Sequence, residues 1–218
     1  LFGGVQLLTI LIAMARNKII AMLLGPSGMG LLSLFNSTTK MVSDAAGLGV
    51  QTSGVRNLSA AYEEGDDAKI RHEVKLIRSW SLLTAILGTL LCVVLSPCLN
   101  DWTFSWGQHT LHFVLLSPVV GLTILTGGEM AILKAVRHLK PLAAVSVLHA
   151  LIAFTISIPL YFYFGETGIV PVMVLMALAT LLLTLHYSYR LYPLRLSGSR
   201  GILGEGMEMV RLGVAFVM

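Results

Sequence analysis

The stretch ARNKIIAMLLGPSGMGLL, residues 15–32, decides how this chain is read. Arg16, Asn17 and Lys18 interrupt an apolar run that starts at Leu1, and the run then breaks on Gly25, Pro26, Ser27, Gly28, Met29 and Gly30. A glycine-rich break ahead of a helix is also how a phosphate-cradling loop looks. This one lacks the terminal Gly-Lys-Ser/Thr of such a loop, and no strand precedes it. Pro and Gly here end one helix and begin the next through a tight turn. The runs on either side are each about the 20 residues a membrane-spanning helix needs. The stretch therefore reads as the corner between two spans, at the outer face.

Composition carries that reading along the chain. Of 218 residues, 56% are hydrophobic and only 12% charged, and the mean hydropathy is +0.82. A soluble domain carries about a quarter charged residues, so this chain has too little polar surface to cover itself in water. Apolar stretches of spanning length fall at residues 1–24, 28–55, 80–95, 112–132, 142–162 and 168–186, and a seventh begins near Met207 and stops at Met218. The expected fold class is an all-α integral membrane bundle of six transmembrane helices plus the start of a seventh. Residues 1–200 would form one six-helix lobe and 201–218 the truncated start of a second. Position 1 is not Met and the chain ends LGVAFVM, which reads as a piece of a longer protein. The first span is too long for a signal peptide, and no cleavage site of small residues follows it. Cys92 and Cys98, six apart with no His nearby, match no zinc spacing and read as small apolar fillers.

The connections set the orientation. Arg56, Lys69, Arg71, Lys75 and Arg78 lie between spans two and three; Lys134, Arg137 and Lys140 between four and five; Arg190, Arg195 and Arg200 after six. The alternate connections, 25–27, 96–111 and 165–167, contain no Lys or Arg. The positive-inside rule then puts the basic loops and the N-terminus in the cytoplasm, with residues 61–75 inside and 102–110 outside. The net charge of +4 sits against an anionic leaflet and calls for no nucleic acid. The Glu63–Asp67 acidic run reads as a solvated loop that caps the next helix.

Charges inside the spans are harder to set aside, because a Lys, Arg or Asp at mid-membrane costs roughly 2.5–3.5 kcal/mol on insertion scales. Arg16 and Lys18 are two residues apart, so their side chains diverge by about 200° and share no narrow face. Lys18 can snorkel to the interface; Arg16 is less well placed to do so. In span two, Asn36, Lys40, Asp44, Gly47 and Gln51 recur at steps of three and four and share one stripe. Lys40 and Asp44 form an i,i+4 pair that neutralises itself. With Ser37, Thr38, Thr39, Ser43, Thr52 and Ser53 beside them, this span suits a water-filled cavity better than lipid. Pro118 and Gly121 read as a kink in span four, and Glu129 as a helix-end charge near Lys134. Spans three, five and six read as scaffold. Cations in excess of acids suit an anion of more than one charge, and guanidinium is shaped for phosphate. No nucleophile–base pair, metal-ligand set or cofactor fingerprint is present: the histidines lack metal spacing, and the nearest pair, His109 and His112, has no acid or Cys beside it.

The runs RNKIIAMLLGPSGMGLLSLFNS, residues 16–37, and GLGVQTSGVRNLSAAYEEGD, residues 47–66, resemble the start of the polysaccharide exporters of the multidrug/oligosaccharidyl-lipid/polysaccharide (MOP) superfamily. Within it they are most similar to Wzx-type O-antigen flippases. The resemblance covers residues 1–67 specifically and the order of spans up to Met218. It implies two lobes of about six spans each, of which this chain holds the first, in a protein that acts as a monomer with its own C-terminal lobe. It implies a non-enzymatic function with no cofactor and no metal: alternating-access movement of undecaprenyl-pyrophosphate-linked oligosaccharide across the bacterial inner membrane. It also implies that basic residues of the first two spans line a central cavity. Arg16, Lys18 and Arg56 match that pattern by position, Asp44 matches an acid of span two, and Lys40 matches less closely. The expected partners are the lipid-linked pyrophosphate and membrane lipids.

Two rivals stay open. A multidrug (MATE-like) exporter of the same superfamily shares the helix order, but would favour acids in the cavity to hold organic cations. A membrane enzyme acting on polyprenyl phosphates would also use Arg clusters, with an Asp/His/Arg set on a cytoplasmic loop.

Overall fold

The computed structural model describes residues 2–103, 110–136 and 139–193. The helices are α1 (Phe2–Ala46), α2 (Val50–Glu64), α3 (Asp67–Thr103), α4 (Thr110–Ala135), α5 (Leu139–Phe164) and α6 (Ile169–Leu191), with a 3-10 turn at Gly165–Gly168 between the last two. Four stretches are long and apolar enough to cross a membrane: Gly4–Ala46, Asp67–Thr103, Thr110–Ala135 and Pro141–Leu191. The expected division into six spans plus the start of a seventh is therefore not what the described residues give. Spans one and two are joined by one non-helical residue and five and six by a four-residue 3-10 turn, so each pair forms one long run. The seventh span lies outside the described residues.

Local chemistry explains the joints. Gly25 (φ 66°, ψ −175°) is the one non-helical residue inside α1, and Pro26 follows it as the first residue of the second arm. Positive φ costs Gly nothing, and Pro at a first helical position loses no needed hydrogen bond. A methyl on Gly28 would stand 2.8 Å from Leu24 Cβ and 3.2 Å from Glu166 Cγ, so the bend packs directly on the α5–α6 turn. Span two stops earlier than expected: Leu48 (φ 48°) and Gly49 (φ 67°) break the helix. α2 then runs on past Val55 to Glu64, ending on Gly65 in the left-handed region. Only Gly65 and Asp66 separate α2 from α3, and the Asp66 carboxylate accepts from the N–H groups of Ala68 (2.9 Å) and Lys69 (3.2 Å). The acidic run thus caps α3, as an Asp at that position does, but most of it is helical. Pro97 lies inside α3 and Pro118 inside α4, both within unbroken helical assignments.

α4 is the hub, packing on α3, α6, α2 and α1, while α1 also packs on α5. Small residues permit the close approaches, as they do where helices associate in lipid. A side chain on Gly88 would meet Ile124 Cδ1 at 2.8 Å and Ala46 Cβ at 2.9 Å, so α1, α3 and α4 converge there. Gly127 and Gly128 likewise accept Gln51 of α2 and Ser81 of α3 against the α4 backbone. One apolar core gathers Ile20, Phe35, Leu116, Val120, Ile124 and Ile169; a second, toward the basic end, gathers Val50, Leu58, Ile77, Trp80 and Ile132. Leu82, Ile86, Leu87, Leu90 and Val94 of α3 stay exposed, as residues facing lipid do. Buried hydroxyls of Thr39, Ser43, Thr84 and Ser157 donate to the carbonyl four residues back, which satisfies them where no water reaches.

Candidate functional site

Arg16 and Lys18 sit on the first arm of α1, about 14 and 10 Å from the Gly25 bend at 1.5 Å per residue. Lys40 and Asp44, on the second arm, lie about 22 and 28 Å from the same bend, and Arg56 lies beyond the Gly47–Gly49 turn in α2. The five residues proposed from the sequence thus form a ladder through the thickness of the bundle, not one shell.

Arg16 is the half-buried member of the ladder, and Lys18 is exposed, which is the divergence that two-residue spacing predicts. Arg16 interacts electrostatically with Tyr161 and His149 of α5. Its Nε is buried without a hydrogen-bond partner. Neither a phenol nor an imidazole is an anion near neutral pH, so these two neighbours leave the guanidinium charge uncompensated. Lys40 Nζ and the Asp44 carboxylate form the expected i,i+4 pair at 2.7 Å, with side chains 75% and 64% exposed. Asn36 is exposed on the same stripe, while Gln51, beyond the break at Leu48 and Gly49, packs on Gly127 of α4. The opposite face of that arm carries buried Thr38, Thr39 and Ser43. Span two is therefore two-faced: Thr38, Thr39 and Ser43 pack inward, and Asn36, Ser37, Lys40 and Asp44 are left uncovered by this chain. Arg56 is exposed at the basic end.

The densest polar constellation is one the sequence reading missed. Arg78 of α3 donates from Nε to Glu129 Oε1 (2.9 Å) and from Nη2 to Glu129 Oε2 (3.2 Å). Its Nη2 also reaches Ser188 Oγ (3.1 Å), and Nη1 reaches the Tyr192 carbonyl (3.0 Å). Ser188 Oγ donates to Glu129 Oε2 at 2.5 Å, and the guanidinium lies 4.4 Å from the centre of the Tyr189 ring. The side chains of Arg78 and Glu129 are only 11% and 8% exposed. This corrects the view of Glu129 as a helix-end charge near Lys134: it is the buried half of a forked ion pair that ties α3 and α4 to the end of α6. The signal available was two opposite charges at matching depth at the basic ends of their spans. Their separation of 51 residues hid it. His112, expected as the first residue of span four, lies in α4 and stacks on Phe35 at 5.9 Å; His109 falls outside the described residues.

No protein-family model and no curated protein matches the sequence. Solved structures do. A MOP superfamily transporter from Pyrococcus furiosus, for which a binding pocket of reversed polarity suggests a different function, aligns with TM-score 0.71 and 16% identity over 95% of this chain and 49% of its own. A multidrug resistance MATE family transporter of the MOP superfamily in an outward-facing conformation aligns with TM-score 0.67 and 15% identity over 95% of this chain and 49% of its own. A MATE transporter in a bent conformation aligns with TM-score 0.69 and 15% identity over 95% of this chain and 50% of its own. The described residues thus have the fold of MOP superfamily transporters, in a chain that spans about half the length of the structures it matches. Together with the four stretches long and apolar enough to cross a membrane, this fold is that of a multi-pass membrane protein.

Proposed function

We propose that the chain is the N-terminal lobe of a flippase that moves undecaprenyl-pyrophosphate-linked oligosaccharide across the bacterial inner membrane by alternating access. The observation that carries the reading is Arg16: a guanidinium half-buried in a membrane span, its Nε unpartnered, with no acid on the arm that bears it. A multiply charged phosphate ligand suits that position. Lys18, Lys40 and Arg56 would extend the basic ladder, with Asp44 moderating Lys40. Only the head group needs a hydrated path; the polyprenyl tail stays in hydrocarbon. The uncovered Asn36–Lys40–Asp44 stripe supports a cavity completed by a second lobe, as transport about one central site requires.

A multidrug exporter fits the fold equally, and the MATE likeness favours it as the second reading. Complementation separates the two. The full-length protein is expected to restore O-antigen display in a flippase-deficient strain and to leave tolerance of cationic dyes unchanged in an exporter-deficient one. Dye tolerance without O-antigen display would overturn the proposal in favour of the drug exporter.

Orientation is tested with a native thiol. Cys98 is exposed and Cys92 buried. Cys98 lies about 46 Å along α3 from Asp67, more than the roughly 30 Å hydrocarbon core. An impermeant maleimide applied to intact spheroplasts is expected to label Cys98. It should label a Glu64→Cys variant, made in a Cys98→Ser background, only after lysis. Labelling of position 64 in intact spheroplasts would reverse the topology.

A further inference from the structure

We infer that the Arg78 fork is a strap that fixes where and in which direction the chain leaves α6, so that α6 moves as one body with α3 and α4. The inference rests on the two-lobe reading, in which the chain runs on from α6 into a second half, and not on which substrate is moved. Every α6 partner of the fork lies at the end of that helix. Ser188 Oγ and the Tyr192 carbonyl accept from Arg78, and the Tyr189 ring lies 4.4 Å from the guanidinium. Tyr192 is the residue at which helical geometry ends, with φ −131° and ψ 92°. Its N–H still donates to the Ser188 carbonyl at 3.0 Å, and its side chain packs on the second apolar core. The exit residue is thus held through its amide, its carbonyl and its ring.

Just outward of the fork, α3 and α6 stand apart. A cleft of about 370 Å³ opens between them, with Leu82 on the α3 side, Leu181 and Leu185 on the α6 side and Leu125 of α4 at its floor. There α6 rests on α4, and the polar contacts of Arg78 bridge it to α3. Apolar contact is non-directional and leaves a helix end free to fray. A guanidinium is planar and forked, so its bonds fix position as well as distance. A buried ion pair adds little net stability over an apolar pair of the same size. What this one supplies is placement of the last turn of α6. In transport by rocking of one half against the other, a frayed exit would absorb motion that a strapped one passes to the bundle.

The test separates placement from stability. Hydrogen exchange in the purified full-length protein, read by mass spectrometry, is compared between wild type and Arg78→Met/Glu129→Leu, whose global unfolding is expected to stay near that of wild type. Exchange over residues 188–192 should be about tenfold faster in the double variant, the worth of one hydrogen bond from a charged donor, because local opening reports local contacts. Exchange over residues 77–84 of α3 and 124–131 of α4 should be unchanged. Activity, scored in whichever complementing strain wild type restores, should fall. Arg78→Lys, which cannot hold Glu129 and the Tyr192 carbonyl at once, should loosen 188–192 in the same way, and it keeps the test decisive where the double variant fails to fold. Unchanged exchange over 188–192 in these variants would overturn the inference. So would equal loosening of α3 and α4, which would make the fork a general staple, or faster exchange at 188–192 with undiminished activity.

Discussion

Arg78→Ala is expected to lower the stability of the protein by about 3–5 kcal/mol, the usual cost of removing one partner from a buried ion pair. The size follows from what would be stranded. Glu129 would keep Ser188 as a donor but lose both guanidinium bonds, and its carboxylate would be left buried without its counter-charge. The end of α6 would lose the cation on its Tyr192 carbonyl, where a positive charge also opposes the helix dipole favourably. Arg78→Lys keeps charge but not the fork, so its loss should be smaller. Arg78→Met with Glu129→Leu should recover most of the stability, because no charge is then buried at all. Equilibrium unfolding in detergent, beside the level of each variant in the membrane, measures the three against wild type. An Arg78→Ala protein as stable as wild type would mean that the forked pair holds nothing together.

Arg16→Ala is expected to leave membrane insertion normal and to reduce export about ten- to hundredfold. Charge-assisted hydrogen bonds contribute about 1.5–3 kcal/mol, and 1.4 kcal/mol is tenfold in an equilibrium. Insertion should not suffer, because an Arg in an apolar run is a cost that Ala removes. Arg16→Lys should restore part of the activity, since charge persists while bidentate contact is lost. Transport of lipid-linked oligosaccharide is measured beside abundance. Normal export by Arg16→Ala at normal abundance would remove Arg16 as a substrate ligand. Loss of abundance together with export would make the residue structural, held by its place beside Tyr161 and His149. The contrast with Arg78 is the point of pairing the two experiments: among the described residues one guanidinium has an acid beside it and the other does not.

Several features were legible because they are local. Gly25 followed by Pro26 dictates a bend whatever surrounds it. Lys40 and Asp44 meet because four residues make about one helical turn, and Asp66 caps α3 from the position just before it. The charge asymmetry of the loops is likewise a property of composition. The count of spans was less legible. A joint of one residue, as at Gly25, or of one 3-10 turn, as at Gly165–Gly168, makes apolar runs separated in sequence one long run in the fold. Only the left-handed residues Leu48 and Gly49 show where span two truly stops.

By itself, then, the sequence determined an apolar, all-helical membrane chain, its corners, and a first arm carrying cations without acids. Periodicity and composition act within a turn or two, and those traits need nothing further. Only the tertiary structure decided which charges are answered. It set Arg78 against Glu129 across 51 residues, left Arg16 beside two uncharged side chains, and turned the Lys40–Asp44 stripe away from the core. It also left the Ser81 hydroxyl without a partner against Gly128 of α4. The reason is physical: an ion pair or a cleft depends on the depth and rotation at which separate helices meet. Those are set by small-residue contacts such as Gly88, Gly127 and Gly128, whose partners cannot be read from their own neighbourhoods.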